Sequence, residues 1–215
     1  MKISVSYLSS VFDKKSTLNM IDNTSCDYLH VDLMDGRFVA KNNFNVKEVL
    51  SDLQDIKKPL DIHLMVEDPE KYIEELSTLN PATITFHIES SADIENTINL
   101  IKEKNIRVGI AIKPNTDISV LNDYIDKIDV VLVMTVEPGA GGQRFMFNML
   151  DKVVALNKFK EENNLNYDIE VDGGVNEYTI IKSKLAGVTI AVCGSYICHH
   201  EDFENQVKNL RKITK

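Results

Sequence analysis

Eight short runs rich in β-branched and aromatic residues alternate with segments of helical apolar spacing, and this alternation limits the fold more than any other feature. The runs occupy residues 3–8, 28–34, 60–66, 83–88, 107–112, 129–136, 167–171 and 188–193. Helical spacing separates them, for example at Val46, Leu50 and Leu53. Strand followed by helix, repeated about eight times, is typical of parallel β/α architecture.

We therefore predict an α/β fold in which residues 1–215 form a single domain, a closed (β/α)8 TIM barrel. An open doubly wound sheet is the alternative. The nearly continuous apolar run at residues 130–136 is expected where both faces of a strand are covered. No stretch has the composition of a linker, and the Pro138–Gly142 stretch fits a loop inside one unit.

Charge and composition limit the partners. The chain has 24 Lys and Arg against 33 Asp and Glu, a formal charge of -9, which argues against nucleic acid and anionic membranes. A small anionic substrate remains compatible, because backbone N–H groups can hold a phosphate locally. The first residues lack the apolar run typical of a signal peptide, and no apolar stretch approaches membrane-spanning length, so we expect neither element. The three cysteines suggest a reducing compartment. We expect a cytoplasmic protein.

Four potential metal ligands lie at the ends of three predicted strands. They are His30 and Asp32 within the second run, His63 within the third run, and Asp172 directly after the seventh run. Because every second residue of a strand points to the same side, these side chains are expected to face one interior. Each alone is most simply a buried, hydrogen-bonded polar group. Together they suit one divalent metal per chain, Zn²⁺ first, with Fe²⁺, Co²⁺ or Mn²⁺ as alternatives.

Asp32 and Asp172 also form a pair of interest. Two carboxyl groups on opposite sides of a small molecule can remove a proton from one face and return a proton to the other. The metal would polarise a carbonyl group and hold the charge of an enediolate. The plainer interpretation is that Asp172 caps a turn before Gly173 and Gly174.

Three methionines accompany this set: Met34, Met65 and Met134. A single strand methionine usually fills a core, but together these could form an apolar cover that excludes water. His87 is expected to lie near the fourth strand, in the core or in support of the site.

Glycines follow the last three predicted strands, at Gly139, Gly141, Gly142, Gly173, Gly174 and Gly194, the last being followed by Ser195. Glycine lets backbone N–H groups approach a ligand closely. Since the loops after strands seven and eight are a recurrent phosphate position in barrels, we predict an anion site there. The loop at residues 138–142 could act as a lid.

Several stretches together resemble the ribulose-phosphate 3-epimerase family over nearly the whole chain. They are residues 6–9 (SYLS), 30–36 (HVDLMDG), 61–66 (DIHLMV), 133–139 (VMTVEPG), 141–143 (GGQ), 170–175 (EVDGGV) and 194–195 (GS). The resemblance implies a metal-containing barrel that interconverts D-ribulose 5-phosphate and D-xylulose 5-phosphate, and commonly a homo-oligomer.

The resemblance also implies roles for individual residues. His30, Asp32, His63 and Asp172 would be the metal ligands, with Asp32 and Asp172 as the two acid/base groups. Ser6 and the three methionines would contact substrate. Gly142, Gly173, Gly174, Gly194 and Ser195 would hold its phosphate group.

Four positions depart from the family pattern. Val11 replaces an acidic residue, Ala40 and Lys41 replace Pro-Asn, and Ala140 replaces a bulky lid aromatic. Loss of that aromatic could make room for one more carbon, so D-allulose 6-phosphate, which a related enzyme converts to D-fructose 6-phosphate, is the alternative substrate.

Two other functions are weaker alternatives. A lyase or decarboxylase of the orotidine-phosphate type would carry an Asp-x-Lys-x-x-Asp motif on the third strand, where this chain has no lysine among residues 61–66. A non-catalytic phosphosugar-binding barrel is suggested only by the altered positions listed above.

Overall fold

Eight parallel strands close into one barrel in a computed structural model that describes residues 1–215. The strands are β1 (Lys2–Ser6), β2 (Tyr28–Met34), β3 (Leu60–Met65), β4 (Thr83–His87), β5 (Arg107–Ile112), β6 (Val130–Met134), β7 (Asp168–Asp172) and β8 (Ile190–Cys193). They are hydrogen-bonded in chain order, and β8 pairs with β1. The TIM-barrel prediction is confirmed, and the open doubly wound sheet is excluded because no edge strand remains.

Eight helices surround or cap the barrel. They are α1 (Lys14–Asp22), α2 (Val46–Leu53), α3 (Glu70–Ser77), α4 (Ile94–Glu103), α5 (Leu150–Glu162), α6 (Thr179–Ala186), α7 (Ser195–Cys198) and α8 (Phe203–Ile213). The connection from β5 to β6 departs from the regular alternation. It holds only a 3-10 turn at Ile118–Leu121, started by the Asp117 side chain. None of the helices has the length and apolar character needed to cross a membrane.

Side-chain caps define where several helices begin. Asp13, Asn45, Asp93 and Asp202 each accept a hydrogen bond from the backbone N–H three residues later. Each such cap contributes about 1 kcal/mol, because it satisfies a donor that the helix leaves free. The buried stripe of α8 is Phe203, Val207 and Leu210, which holds this last helix against the barrel.

The two faces of the strands differ in chemistry. Outward residues such as Leu29, Val31 and Leu33 are buried in one apolar core beneath the helices. The barrel interior contains many buried polar side chains: Ser4, Ser6, His30, Asp32, Asp61, His63, Thr83, Thr85, His87 and Glu170. Since buried polar groups need partners, these residues must form an ordered hydrogen-bond network or hold a ligand.

Candidate active site

The strand register brings the four predicted ligands together at the carboxyl ends of the strands. Asp32 of β2 is the direct neighbour of His63 of β3, and His30 lies two residues earlier on β2. Asp172 is the last residue of β7, so the strand ends one residue later than the run at 167–171 predicted. One donor atom from each of these four side chains lies within 4.8 Å of the others, which is close enough for all four to hold one ion.

Asp32 is at the centre of this group. Its Oδ2 accepts a hydrogen bond of 2.7 Å from the hydroxyl of Ser6. Its Oδ1 lies 3.2 Å from Nδ1 of His63 and 3.3 Å from Nε2 of His30. Oδ2 of Asp172 approaches Nδ1 of His63 from the β7 side at 3.7 Å. The two carboxyl groups therefore converge on the same imidazole nitrogen from different strands.

His30 has one nitrogen bound and one free. Its Nδ1 donates to Oδ2 of Asp61 at 2.8 Å, and the same oxygen accepts a hydrogen bond from Ser4. Its Nε2 is fully buried and has no hydrogen-bond partner. A buried nitrogen that has no hydrogen-bond partner and lies beside the carboxylate of Asp32 fits a metal ligand, so the geometry of the donor set is that of a metal site.

His63 directs its other ring nitrogen towards the site. Its Nδ1 faces the two carboxyl groups, while its Nε2 lies 2.9 Å from Nε2 of His87. Nδ1 of His87 in turn lies 3.2 Å from Oε2 of Glu89. The structure thus places His87 at the end of β4, fully buried and next to His63; a role for it in the site stays a prediction.

The two acidic groups differ in proton affinity. Burial opposes ionisation of Asp32, but the charges of His30 and His63 and the hydrogen bond of His63 outweigh it and lower the pKa of Asp32. Burial and the nearby charge of Asp32 raise the pKa of Asp172 to about 6. Two carboxyl groups with separated pKa values are the arrangement that acid/base catalysis on both faces of a substrate needs.

A cavity of about 510 Å³, including space open to solvent, lies above these groups. Among its lining residues are the predicted Ser6, Asp32, Met65, Met134, Gly139, Gly141, Gly142, Asp172, Gly173, Gly174, Gly194 and Ser195. Met34 does not line it. This residue is fully buried and packs with Met65 and Val39, so its side chain supports the wall behind Met65.

Backbone conformation explains the glycines after β7. Gly173 and Gly174 have φ angles of 117° and 67°, in the left-handed region. A Cβ atom on Gly174 would lie 2.5 Å from the backbone nitrogen of Phe145. Thr135 holds the same turn, because its hydroxyl lies 2.8 Å from the carbonyl oxygen of Asp172 and 2.7 Å from that of Gly173. No single-residue signal in the sequence pointed to Thr135.

The loop at residues 138–142 crosses the barrel mouth. Gly139 packs against Val39 of the loop after β2, and Gly141 packs against Ser9 of the loop after β1. The amide of Gln143 donates to the backbone oxygens of Glu137 and Ala140 and so fixes the loop's own shape. This placement is what a lid over the cavity requires.

The departures from the family pattern lie at different distances from the cavity. Ala140 lines it. Ala40 and Lys41 are exposed, and Val11 is 63% exposed, so these three side chains lie outside the lining. Two residues beyond Lys41, the side chain of Asn43 binds the backbone of Asp32 and Met34 and closes the end of β2.

Comparison with known proteins points in one direction. The model of the "Ribulose-phosphate 3 epimerase family" matches residues 2–198. A ribulose-phosphate 3-epimerase of Bacillus subtilis (strain 168) is 32% identical over 214 residues, covering 98% of both chains. The cytoplasmic isoform of ribulose-phosphate 3-epimerase from Oryza sativa subsp. japonica is 38% identical over 216 residues, covering 98% of this chain and 93% of that protein.

Solved structures show the fold alone. The 3-hexulose-6-phosphate synthase of Salmonella typhimurium superposes with a TM-score of 0.71 at 16% sequence identity, covering 100% of this chain and 98% of that chain. At this identity the likeness concerns the barrel and carries no statement about substrate.

Proposed function

This chain belongs to the ribulose-phosphate 3-epimerase family, and we propose that it interconverts D-ribulose 5-phosphate and D-xylulose 5-phosphate by two-base proton transfer. The observation that carries this proposal is the convergence of four donor atoms from His30, Asp32, His63 and Asp172 within 4.8 Å. The two carboxyl groups of this cluster, those of Asp32 and Asp172, come from β2 and β7, which are different parts of the barrel wall.

The chemistry follows from those two carboxyl groups. With the sugar bound between them, one carboxylate removes the proton at C3 and the other, in its acid form, delivers a proton to the opposite face. The lowered pKa of Asp32 and the raised pKa of Asp172 give the two groups different proton affinities in the metal-free chain, with Asp172 the better proton donor. Inversion at C3 with no change in carbon skeleton is the expected outcome.

The metal would be held by Nε2 of His30, Nδ1 of His63 and the carboxylates of Asp32 and Asp172. When bound, a divalent ion, Zn²⁺ first with Fe²⁺, Co²⁺ or Mn²⁺ as alternatives, supplies polarisation of the ketose carbonyl and stabilisation of the enediolate charge. Burial around His30 and His63 excludes water and keeps the donors in place.

The rest of the cavity would bind the remainder of the substrate. The backbone N–H groups of Gly142, Gly173, Gly174, Gly194 and Ser195 would hold the phosphate group. Ser6, Met65 and Met134 would contact the sugar carbons and hydroxyls, and Met34 would act through Met65. Gly139 and Gly141 belong to the loop that would close over the bound ligand.

Location and assembly complete the proposal. We place the protein in the cytoplasm, because the Oryza sativa relative is a cytoplasmic isoform, and we expect a homo-oligomer. Its partners would be small phosphorylated ketoses, with no nucleic acid and no membrane surface, in keeping with the net charge of -9.

The alternative substrate is D-allulose 6-phosphate. It is favoured by Ala140, whose small side chain lines the cavity where the family pattern has a bulky aromatic. A hexulose phosphate has one more carbon between the reacting centre and the phosphate group, and the small side chain of Ala140 would leave space for a longer substrate.

Steady-state kinetics on the two substrates tests the proposal. We expect kcat/KM for D-ribulose 5-phosphate to exceed that for D-allulose 6-phosphate, because that ratio measures differential binding of the transition state. Removal of metal with a chelator should abolish turnover, and Zn²⁺ should restore it. A higher kcat/KM for the hexulose phosphate would select the alternative, and an undiminished rate in metal-free protein would contradict the metal site.

A further inference from the structure

The two metal-facing histidines of the proposed site use different ring nitrogens. His30 presents Nε2 to the metal position and donates a hydrogen bond from Nδ1 to Asp61, whereas His63 presents Nδ1. An imidazole that offers Nδ1 to a cation must carry its proton on Nε2. His63 therefore needs a hydrogen-bond acceptor beside Nε2, in the interior of the barrel.

His87 lies at the position of that acceptor. Its Nε2 is 2.9 Å from Nε2 of His63, and only one proton fits between two nitrogens at this distance. If the proton belongs to His63, then Nε2 of His87 accepts and the His87 proton is on Nδ1. That nitrogen faces Oε2 of Glu89 at 3.2 Å, and an ionised carboxylate can only accept.

Glu89 is itself fixed in orientation. Its Oε1 accepts hydrogen bonds from the backbone N–H of Lys113, at 2.9 Å, and from the hydroxyl of Thr116. Lys152 holds the same loop by donating to the backbone oxygens of Lys113, Pro114 and Thr116. The loop after β5 thus directs Oε2 of Glu89 towards His87.

Packing keeps the His87 ring from turning away. The ring is fully buried, and the Phe38 ring lies against it with a centroid separation of 4.8 Å. Nζ of Lys113 lies 3.7 Å from the centroid of the Phe38 ring and covers it on the outer side. The order of contacts is consequently Glu89, His87, His63 and the metal position.

We propose that His87 and Glu89 are positioning residues for the metal: they accept, in series, the protons that keep His63 in the tautomer whose Nδ1 binds the ion. This inference rests on the metal site proposed above. Residues that orient a metal-binding histidine through its other nitrogen typically change metal affinity about 10- to 100-fold when replaced. Neither residue contacts substrate in this account.

The test compares zinc affinity among apo-protein variants by competition with a chromophoric chelator. His87→Phe removes the acceptor and keeps a ring, and Glu89→Ala removes the carboxylate. Both should weaken Zn²⁺ binding about 10- to 100-fold. His87→Gln, whose side-chain oxygen can accept, should recover most of the affinity. Glu95→Ala, the matched control, removes an exposed carboxylate that pairs with Lys127 and should leave the zinc affinity unchanged.

A tautomer measurement gives a readout independent of activity. In zinc-loaded protein with ¹⁵N-labelled histidine, the nitrogen shifts should identify His63 as bound through Nδ1 with its proton on Nε2. Should His87→Phe fail to fold, Glu89→Ala makes the same test, because Glu89 is 23% exposed and its loss leaves no large cavity.

Three results would overturn the assignment. They are wild-type zinc affinity in both Glu89→Ala and His87→Phe, equal losses in His87→Gln and His87→Phe, or binding of His63 through Nε2. Failure of the wild-type protein to bind zinc or any of the other three metals would be a different result, since it would remove the proposed metal site as well.

Discussion

The two sides of the barrel mouth differ in the groups that line them: side chains on one side and backbone on the other. On the β2–β4 side, side chains of strand residues form a buried polar cluster, in which Asp32 alone lies within 3.3 Å of His30, His63 and Ser6. On the β6–β8 side, loops supply backbone around Gly142, Gly173 and Gly174, all with positive φ. The first side suits a cation, and the second suits an anion.

The difference teaches how an acidic protein can bind an anionic sugar. Side-chain donors concentrate negative charge where a metal would compensate it, and backbone N–H groups bind phosphate without adding any charge. Asp172 belongs to both sides, because it is a proposed ligand and also precedes Gly173 in the turn held by Thr135. Changes at this junction should therefore have the largest effects.

The strongest test of the junction is Asp172→Asn. It preserves side-chain shape but removes the proposed proton donor, so we expect kcat to fall by about 10³-fold, within the range typical of general acid/base groups. KM should change little, because the phosphate contacts remain. Steady-state kinetics and proton exchange at C3 provide the measurement. Near wild-type turnover would remove Asp172 from the proton-transfer role.

The anion side is tested by Gly174→Ala. Its φ of 67° and the approach of a Cβ atom to within 2.5 Å of the Phe145 nitrogen leave no room for a side chain. We expect a loss of about 1–3 kcal/mol in unfolding free energy and a rise in KM. Gly142→Ala is the matched control, because its φ is 74° but a Cβ atom there meets nothing within 4 Å.

Thermal unfolding and substrate kinetics of the two alanine variants separate backbone strain from crowding. Equal losses of stability in both would mean that positive φ alone decides the cost. A KM unchanged in Gly174→Ala would argue against a phosphate group at this turn.

Ala140→Phe tests whether the lid sets substrate size. An aromatic ring should fill space at the cavity edge and penalise the longer ketose phosphate more than the shorter one. We expect the ratio of kcat/KM for D-ribulose 5-phosphate over D-allulose 6-phosphate to rise about 10-fold, the size of effect that one methylene group produces in a fitted pocket. Ala140→Ser, which changes volume little, is the control. An unchanged ratio would place the size limit elsewhere.

An ion-pair network at the opposite end of the barrel offers a contrast with both sides. Asp168, at the start of β7, binds Arg107 at 2.7 Å and Lys2 at 3.3 Å. Burial raises the pKa of Asp168, but its hydrogen bonds to Arg107 and Thr189 and the nearby charges outweigh burial, so the pKa is lowered overall. Its stabilising effect is then present above the unfolded pKa of about 3.9 and lost as pH falls through the lower folded value.

Asp168→Asn should accordingly lower the free energy of unfolding by about 1 kcal/mol at pH 7, with kcat and KM unchanged. The difference from wild type should shrink as the pH falls below about 3.9 and vanish below the lower folded pKa, where the carboxylate of the folded wild-type protein is protonated too. Chemical denaturation at several pH values measures it. A pH-independent difference would mean that packing, rather than charge, stabilises this end.

Sequence reasoning succeeded where residue type and period carry the information. The eight runs predicted the barrel, and the period of two in β2 and β3 predicted that His30, Asp32 and His63 share one interior. The roles of these residues remain predictions. On the β6–β8 side the sequence predicted only which loops contain glycines. Glycine alone does not distinguish a turn from a phosphate site, since both require this residue type.

The supporting residues were harder to find from the sequence. Asp61 and Thr135 act through hydrogen bonds to partners on other strands or loops, and the distant loop after β5 orients Glu89. Strand register is not written in any single segment. Met34 illustrates the same limit. Its period predicted a place at the mouth, but Met34 is fully buried against Met65 of the neighbouring strand, and only Met65 lines the cavity.

The most direct test of the account is anomalous diffraction from crystals of the zinc-loaded protein, recorded on both sides of the zinc absorption edge. We predict one strong peak per chain, about 2.0–2.2 Å from Nε2 of His30, Nδ1 of His63 and one oxygen each of Asp32 and Asp172. A peak away from these four atoms, or an Asp172 side chain turned away from the ion and from bound sugar phosphate, would contradict it.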